Sequence, residues 1–440
     1  MKSKKKHTCL ELFAGCGGLG YGFDKAKFNI VCCNELESSI AATYKTNYPS
    51  TNVIIGDITK TNIKTDIYNN FNDINCDVII GGPPCVAYSM AGLRNSRDPR
   101  GQLFKDYVEI VNKLKPKIFV MENVKGILTI MHDKPKLNKE EKKIANKYYK
   151  LEEEKMDLLS KKKILSANKD KKKKVTDETG DTGETGEKGE TGETGETDET
   201  GDTDETNRAF YLKEFEEIKN KITKNNQKIK LMKKDISRFR MNVCDIIEET
   251  FNGIGYNIEK KLLNSADYGV PQKRQRVIFI GVKKGLDIKI NFPTITHNEN
   301  GVNDMPKWKT VFETIDDLKD LKEDVTKLQH IYTKHSVSFK EKIKNTPIGK
   351  SVNPKYTEAF FRCDPNKPSN TVKENHGGVF VHYEKDRVMT PRELARLQSF
   401  PDSFKFEGSK SNILKQIGNA VPCGLSIAIA NEIKKMLEKK

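Results

Sequence analysis

Cys85 lies in Gly81-Gly82-Pro83-Pro84-Cys85-Val86-Ala87-Tyr88-Ser89, directly behind the apolar run Asp77-Val78-Ile79-Ile80. That run is short and β-branched, which predicts a buried strand. Two glycines end it and two prolines fix φ. The thiol is therefore offered from a stiff mount just past a strand end, where a nucleophile is best held. A lone cysteine is more often a small buried hydrophobe, so the reading depends on its company. Further along, Lys117-Ile118-Phe119-Val120-Met121 predicts another strand and ends at Glu122-Asn123-Val124. A thiol and a carboxylate at neighbouring strand ends suit covalent catalysis with acid or base assistance.

Three earlier strands are needed to place this pair. Thr8–Phe13 leads into the turn Ala14-Gly15-Cys16-Gly17-Gly18-Leu19-Gly20 and then a helix; Phe28–Cys33 ends at Asn34-Glu35; Val53–Ile55 ends at Gly56-Asp57. Each polar group thus follows the carboxyl end of a strand, the edge at which open α/β sheets bind ligands. Glycines let backbone approach a ligand closely, and Glu35 stands near the spacing at which an acid grips a ribose. We expect an α/β fold with a cofactor crevice at the first three strands, beside the thiol and carboxylate. A nicotinamide enzyme also joins a glycine loop to an acid. The loop here departs from G-x-G-x-x-G, however, and a dehydrogenase leaves Pro-Pro-Cys unexplained.

At 440 residues the chain suggests about two or three domains. Only 35% is hydrophobic and 32% is charged, and 78 Lys+Arg against 62 Asp+Glu leave +16. That excess fits a polyanionic partner such as nucleic acid, although lysine-rich surface helices produce it too. Nine cysteines, single apart from Cys32-Cys33, lack the paired spacing of a zinc site. We expect no metal, no structural disulfide and a reducing intracellular location. No signal peptide or membrane span is expected.

From about Met131 to Arg240 the pattern changes. Ile144, Tyr148, Leu151 and Leu158 recur at heptad-like spacing, as do Tyr211, Phe215, Ile218, Ile222, Ile229, Met232 and Ile236, with Asn225 filling one seam position. Between them lies a Glu/Thr-rich tract with glycine at every third position from Gly180 to Gly195, without proline. This predicts an inserted antiparallel helical hairpin over 133–238 with a low-complexity acidic loop at its tip.

Several motifs, in order, resemble the DNA (cytosine-5) methyltransferases: Phe13-Ala14-Gly15-Cys16-Gly17-Gly18, Pro83-Pro84-Cys85, Glu122-Asn123-Val124, Asp267-Tyr268-Gly269-Val270-Pro271-Gln272 followed by Arg274 and Arg276, and Gln416-Ile417-Gly418-Asn419-Ala420-Val421-Pro422. The resemblance covers nearly all of the chain outside the insertion. One departure is Val86, where glutamine is commoner. The resemblance implies a Rossmann-like S-adenosylmethionine methyltransferase sheet built from 1–132 and 239–282, a smaller target-recognition domain at 283–389, and a segment, 390–440, returning to the catalytic domain. It implies S-adenosyl-L-methionine as cofactor, with Phe13 on the adenine, Glu35 on the ribose hydroxyls and Asp57 on the adenine amino group. Gly15, Gly17, Gly18, Leu19, Leu36, Ile58, Pro84, Leu103, Asn419 and Val421 complete that site. It implies Cys85 as nucleophile towards a flipped-out cytosine of double-stranded DNA, Glu122 at ring nitrogen 3 and Arg276 at the ring oxygen. Arg94, Arg97, Arg100, Lys273 and Arg274 would meet DNA. The expected enzyme is a monomer that could work beside a cognate restriction endonuclease. An RNA cytosine-5 methyltransferase and a non-enzymatic DNA-binding protein on the same fold remain as alternatives.

Overall fold

The computed structural model describes residues 6–84, 103–134, 136–178, 201–302, 304–355, 358–374 and 380–439, except the side chains of 167–178, 201–209 and 211. The chain divides into two compact units, one of Met1–Ile130 with Val243–Lys440 and one of Met131–Asn242. The strands are β1 (Thr8–Leu12), β2 (Asn29–Glu35), β3 (Asn52–Ile55), β4 (Val78–Gly81), β5 (Ile118–Val124), β6 (Met131–Asp133), β7 (Arg240–Asn242), β8 (Tyr256–Asn264) and β9 (Gln275–Lys283). In the first unit seven of them form one sheet, ordered β3-β2-β1-β4-β5-β9-β8. The five strands from β3 to β5 run parallel, whereas β9 is antiparallel to both β5 and β8. The strand order reverses between β1 and β4, which makes their carboxyl ends the binding edge.

Side chains alternate strictly across this sheet. Leu10, Leu12, Ile79, Phe119, Met121, Val277 and Phe279 enter one core cluster. Cys9, Val78, Ile80, Ile118, Val120, Ile278 and Ile280 enter the other. The first face is covered by α3 (Thr61–Asn69), α4 (Leu103–Leu114) and α7 (Val243–Gly253). The second is covered by α1 (Gly18–Lys25) and α12 (Cys423–Glu438). Fully burying one such Leu, Ile or Phe side chain stabilises the fold by about 1.5–3 kcal/mol, so both faces are required.

A third cluster joins α2 (Ser38–Asn47) to α8 (Val311–Ile315), α10 (Pro391–Leu397) and α11 (Lys410–Asn419), through Tyr44, Ile315, Leu394, Phe400 and Ile417. The rest of 283–406, apart from the short helix α9 (Val337–Lys344), has little regular structure. Buried cations hold it instead. Arg392 donates to the carbonyls of Leu328, Pro401 and Phe404 at 2.6, 3.0 and 2.9 Å, and Arg362 donates to that of Ile343 at 2.6 Å. Segments 283–389 and 390–440 belong to the same compact unit as the sheet.

The second unit is a hairpin of α5 (Lys139–Glu178) and α6 (Gly201–Ser237), closed at its base by the β6–β7 ribbon. Asn138 starts α5: its side chain accepts from the amides of Glu140 and Glu141 while Glu141 accepts from its own amide, a reciprocal cap. Tyr148, Leu151, Ile218, Ile229 and Ile236 are buried in the seam with Asn225. Ala145 and Tyr149, which the heptad spacing did not single out, are buried there too. The side chain of Tyr211 and the glycine-repeat tract at 179–200 lie outside the described residues.

Glu11 breaks the apolar alternation of β1. It is buried, and its two carboxyl oxygens accept from the amide of Gly20 (2.9 Å) and the hydroxyl of Tyr44 (2.7 Å). It therefore ties β1 to α1 and α2 behind the glycine turn. Burial raises its pKa to about 7, against the lowering effect of these two bonds. A carboxyl whose pKa is raised on folding binds more protons folded than unfolded, so stability falls as pH rises from the ordinary carboxylate value to about 7. We predict that Glu11→Gln removes this fall; urea melts across that window would then show a flatter stability profile for the variant than for the wild type. In the first unit the amide of Val243 donates to the carbonyl of Ile130 at 2.9 Å, so the chain ends flanking the hairpin already meet. Replacing residues 133–236 by a short Gly/Ser linker should leave a cooperatively folding protein, as measured by circular dichroism and thermal melting.

Candidate active site

Alternation decides which polar groups meet at the sheet edge. On β5, Ile118, Val120 and hence Glu122 share a face; on β9, Ile280, Ile278 and hence Arg276 share the same face. Register pairs Glu122 with Ile278 and Val124 with Arg276, so the two charged residues are diagonal neighbours. Arg276 Nε lies 2.8 Å from Glu122 Oε1, with the side chains 12% and 14% exposed. Burial pulls the Arg276 guanidinium below its usual range, and Glu122 opposes this. The root of the Pro-Pro-Cys loop is fixed beside this pair. Asn123 Nδ2 reaches Pro83 O at 3.4 Å, and a Cβ on Gly82 would stand 2.9 Å from Glu122 Oε2, closer than real Cβ contacts allow. A side chain at this position would press on the Glu122 carboxylate. Cys85 itself, with Arg94, Arg97 and Arg100, lies outside the described residues.

The eight described cysteines are buried thiols. Burial raises their pKa values, to about 12 for Cys16 and Cys32, which leaves these thiols protonated and poorly nucleophilic at neutral pH.

Towards β1–β3 the edge is built differently. Phe13 closes β1 in the left-handed region at φ +54°, strained backbone that costs about 1–3 kcal/mol and swings the chain into the glycine turn. Glu35 Oε2 accepts from the Gly15 amide at 2.8 Å and Oε1 from the Glu37 amide at 2.9 Å. Burial raises its pKa, opposed by these backbone bonds. A carboxylate offers about four acceptor sites, so these amides do not exhaust its capacity to accept from a ligand hydroxyl. A Cβ on Gly15 would meet nothing within 4 Å, and Leu36 is 63% exposed, which leaves space and an apolar surface beside Glu35. Asp57 is solvent-facing and accepts from the Thr59 amide at 3.0 Å, which lowers its pKa. Gly17 caps α1 from the left-handed region, and a Cβ on Gly18 would lie 2.6 Å from Val421 O. The 418–422 segment thus packs directly on the glycine turn. Asn419 is exposed and donates to Glu374 at 2.6 Å. Pro84 is exposed, Leu103 is half-buried at the start of α4, and Ile58 is buried. Leu19 points into the core, so its backbone amide at the N-terminus of α1 is what it can offer a ligand.

One basic residue is corrected. Arg274, expected on DNA, is only 3% exposed; its guanidinium donates to Val372 O at 2.9 Å and Gly418 O at 3.0 Å. Burial holds its pKa well below the usual arginine range. It braces the 372 and 418 chains and has no face towards a phosphate. Gln272 acts beside it, accepting from the Val372 amide and donating to Leu397 O and to Gln398 Oε1; Gln398 in turn donates to Ile417 O. Lys273 is exposed, 3.2 Å from Glu299 and over the ring of Trp308. Glu11 and the Gln272–Gln398 pair were not singled out from the sequence. The available signals were a charge inside an apolar strand and polar residues at alternate positions before β9.

A family model described as C-5 cytosine-specific DNA methylase matches residues 7–152 and 230–435, leaving out most of the hairpin. The chain is 30% identical to the Type II methyltransferase M1.HphI of Haemophilus parahaemolyticus, over 98% of this chain and 87% of that one. It is also 30% identical to the Type II methyltransferase M.NgoPII of Neisseria gonorrhoeae, over 98% and 96%. The crystal structure of Dnmt2 methyltransferase from S. pombe has the same fold, with a TM-score of 0.54 at 13% identity, covering 99% of this chain and 100% of that one. The cofactor of the family, S-adenosylmethionine, suits the remaining acceptor capacity of Glu35 and the open space beside Gly15. The chain belongs to the C-5 cytosine-specific DNA methylase family and is an S-adenosylmethionine-dependent DNA cytosine-5 methyltransferase.

Proposed function

We propose that the enzyme methylates cytosine within a specific short duplex sequence through covalent addition of Cys85 to carbon 6 of a flipped-out base. The observation that carries this reading is the Glu122–Arg276 ion pair beside the root of the Cys85 loop. Carbon 5 of cytosine is a poor nucleophile. Thiolate addition at carbon 6 makes it enamine-like and splits one difficult step into two. Glu122 holds or protonates ring nitrogen 3 so that the displaced electrons are accepted, and Arg276 steadies the ring oxygen. Bound S-adenosylmethionine supplies the methyl group on a sulfonium centre. Loss of the carbon 5 proton and expulsion of Cys85 then restore the aromatic ring. The thiol cannot reach carbon 6 in a stacked duplex, hence the flipping.

On this reading Glu35 takes the ribose hydroxyls, Phe13 and Leu36 flank the adenine, and Asp57 meets its amino group. Gly17, Gly18 and Leu19 offer the start of α1, while Ile58, Pro84, Leu103, Asn419 and Val421 line the remainder. Residues 283–389 read neighbouring bases, and Arg94, Arg97, Arg100 and Lys273 hold phosphates. The protein works as a monomer in a DNA-containing compartment, where a cognate endonuclease would be its partner. Among the described residues no single helix is long and apolar enough to cross a membrane.

Cys85→Ala should abolish methyl transfer while S-adenosylmethionine binding, measured by calorimetry, stays close to wild type; substantial residual turnover sinks the covalent route. The wild type should also remain attached to a target duplex carrying 5-fluorocytosine, because the carbon 5 fluorine cannot leave as a proton. Absence of a denaturation-resistant adduct during turnover would count against Cys85. For Glu122→Gln, a rate loss of about 10²–10⁴-fold with unchanged duplex affinity is expected in single-turnover assays. A variant within a few-fold of wild type would show that Glu122 only anchors Arg276.

A further inference from the structure

The α5–α6 hairpin carries its charge unevenly. Close to the β6–β7 ribbon, Lys139, Lys143, Lys147 and Lys150 are exposed and recur at helical spacing along α5, on the side opposite the seam residues Ala145 and Tyr148. At 1.5 Å per residue the stripe is about 16 Å long, roughly five base steps of one duplex strand. On the same part of α6, Lys230 and Lys234 are exposed one turn apart, away from Ile229 and Ile236. Glu140 and Glu141 stand at the start of α5, and beyond the stripe Glu152, Glu153, Glu154 and Asp157 balance Lys155, Lys161, Lys162 and Lys163.

Folding does not explain the basic end. Each helix already buries its apolar seam against the other, and none of these six lysines has an ion pair among the described residues. Like charges four residues apart on a helix destabilise it by about 0.2–0.5 kcal/mol per pair. Such a row persists at a cost to the isolated hairpin, and that cost is offset when a polyanion neutralises it. We infer that the ribbon end of this hairpin is an auxiliary, sequence-independent binding surface for the phosphate backbone of duplex DNA. This inference rests on the enzyme's action on DNA and adds to it a contact outside the catalytic sheet. Each phosphate the lysines neutralise releases counterions, so the surface contributes to affinity at low salt and fades as salt rises.

The test replaces all six lysines, K139Q/K143Q/K147Q/K150Q/K230Q/K234Q, in the full-length protein. Its affinity for poly(dA)·poly(dT), which contains no cytosine, is measured across a sodium chloride series. The slope of log affinity against log salt should become shallower by up to about 5, since each phosphate contact contributes about 0.9. A companion variant removes equal charge nearer the tip, at Lys155, Lys161, Lys163, Lys219, Lys221 and Lys224, and should keep a slope close to wild type. Helical content by circular dichroism, which reads the two long hairpin helices, verifies folding of both variants. An unchanged slope in the first variant, or an equal change in both, overturns the inference. Methyl transfer by the wild type to genomic DNA is measured in parallel. If it is absent, the reading of the enzyme fails; if it is present while the slopes fail, only the hairpin surface is lost.

Discussion

Two opposite charges at a sheet edge govern this site. Taking Glu122 or Arg276 alone out of water would cost several kcal/mol, and their mutual attraction offsets that cost only because the geometry is close. The geometry comes from the sheet. β9 must run antiparallel to β5, in the register that sets Arg276 against Val124, or the guanidinium would fall on the wrong face. A slip of one residue would place Arg276 among the aromatic side chains of the opposite core. The apolar packing of β9 therefore does more than stabilise the fold, since it sets the distance between Glu122 and Arg276.

The β1–β3 end of the sheet edge and the β5–β9 end are physically joined. Arg274 and Gln272 precede Arg276 at alternate positions, and between them they bind the 372 chain, the 397–398 chain and the carbonyl of Gly418. Gln398 carries the chain of bonds on to Ile417. The same C-terminal segment rests on Gly18 through Val421. The glycine turn and the root of β9 are thus linked through buried polar groups. Such groups are costly to leave unpaired, which keeps this network in one arrangement.

Much of this was legible in the sequence, for identifiable reasons. The sheet strands are short β-branched runs that end in a polar residue or a glycine, and Phe28–Cys33 differs from β2 only at its ends. Glu35, Asp57 and Glu122 could be placed because each follows such a run directly. Arg276 could be assigned only by resemblance, because its partner is remote in sequence and antiparallel pairing leaves no local mark. Arg274 was misplaced for a related reason: in a run of basic residues the sequence does not say which alternate positions turn inward. The segment after β9 was illegible because buried Arg362 and Arg392 hold it by side-chain bonds to scattered carbonyls, which have no period. The hairpin seam showed through its heptads, while ribbon strands of three residues are too short to show any pattern.

The position of the hairpin also has a consequence for synthesis. β5 is complete at Val124, but the strand that pairs with its outer edge begins only at Gln275. At about 5–20 residues per second, that edge waits roughly 10–30 s on the ribosome with its backbone groups unpaired. An unpaired, apolar edge strand is a template for association with other chains. The hairpin occupies most of this interval, and its local helical contacts let it fold while the sheet is still open. The long insertion therefore lengthens the interval in which the nascent chain is open to association.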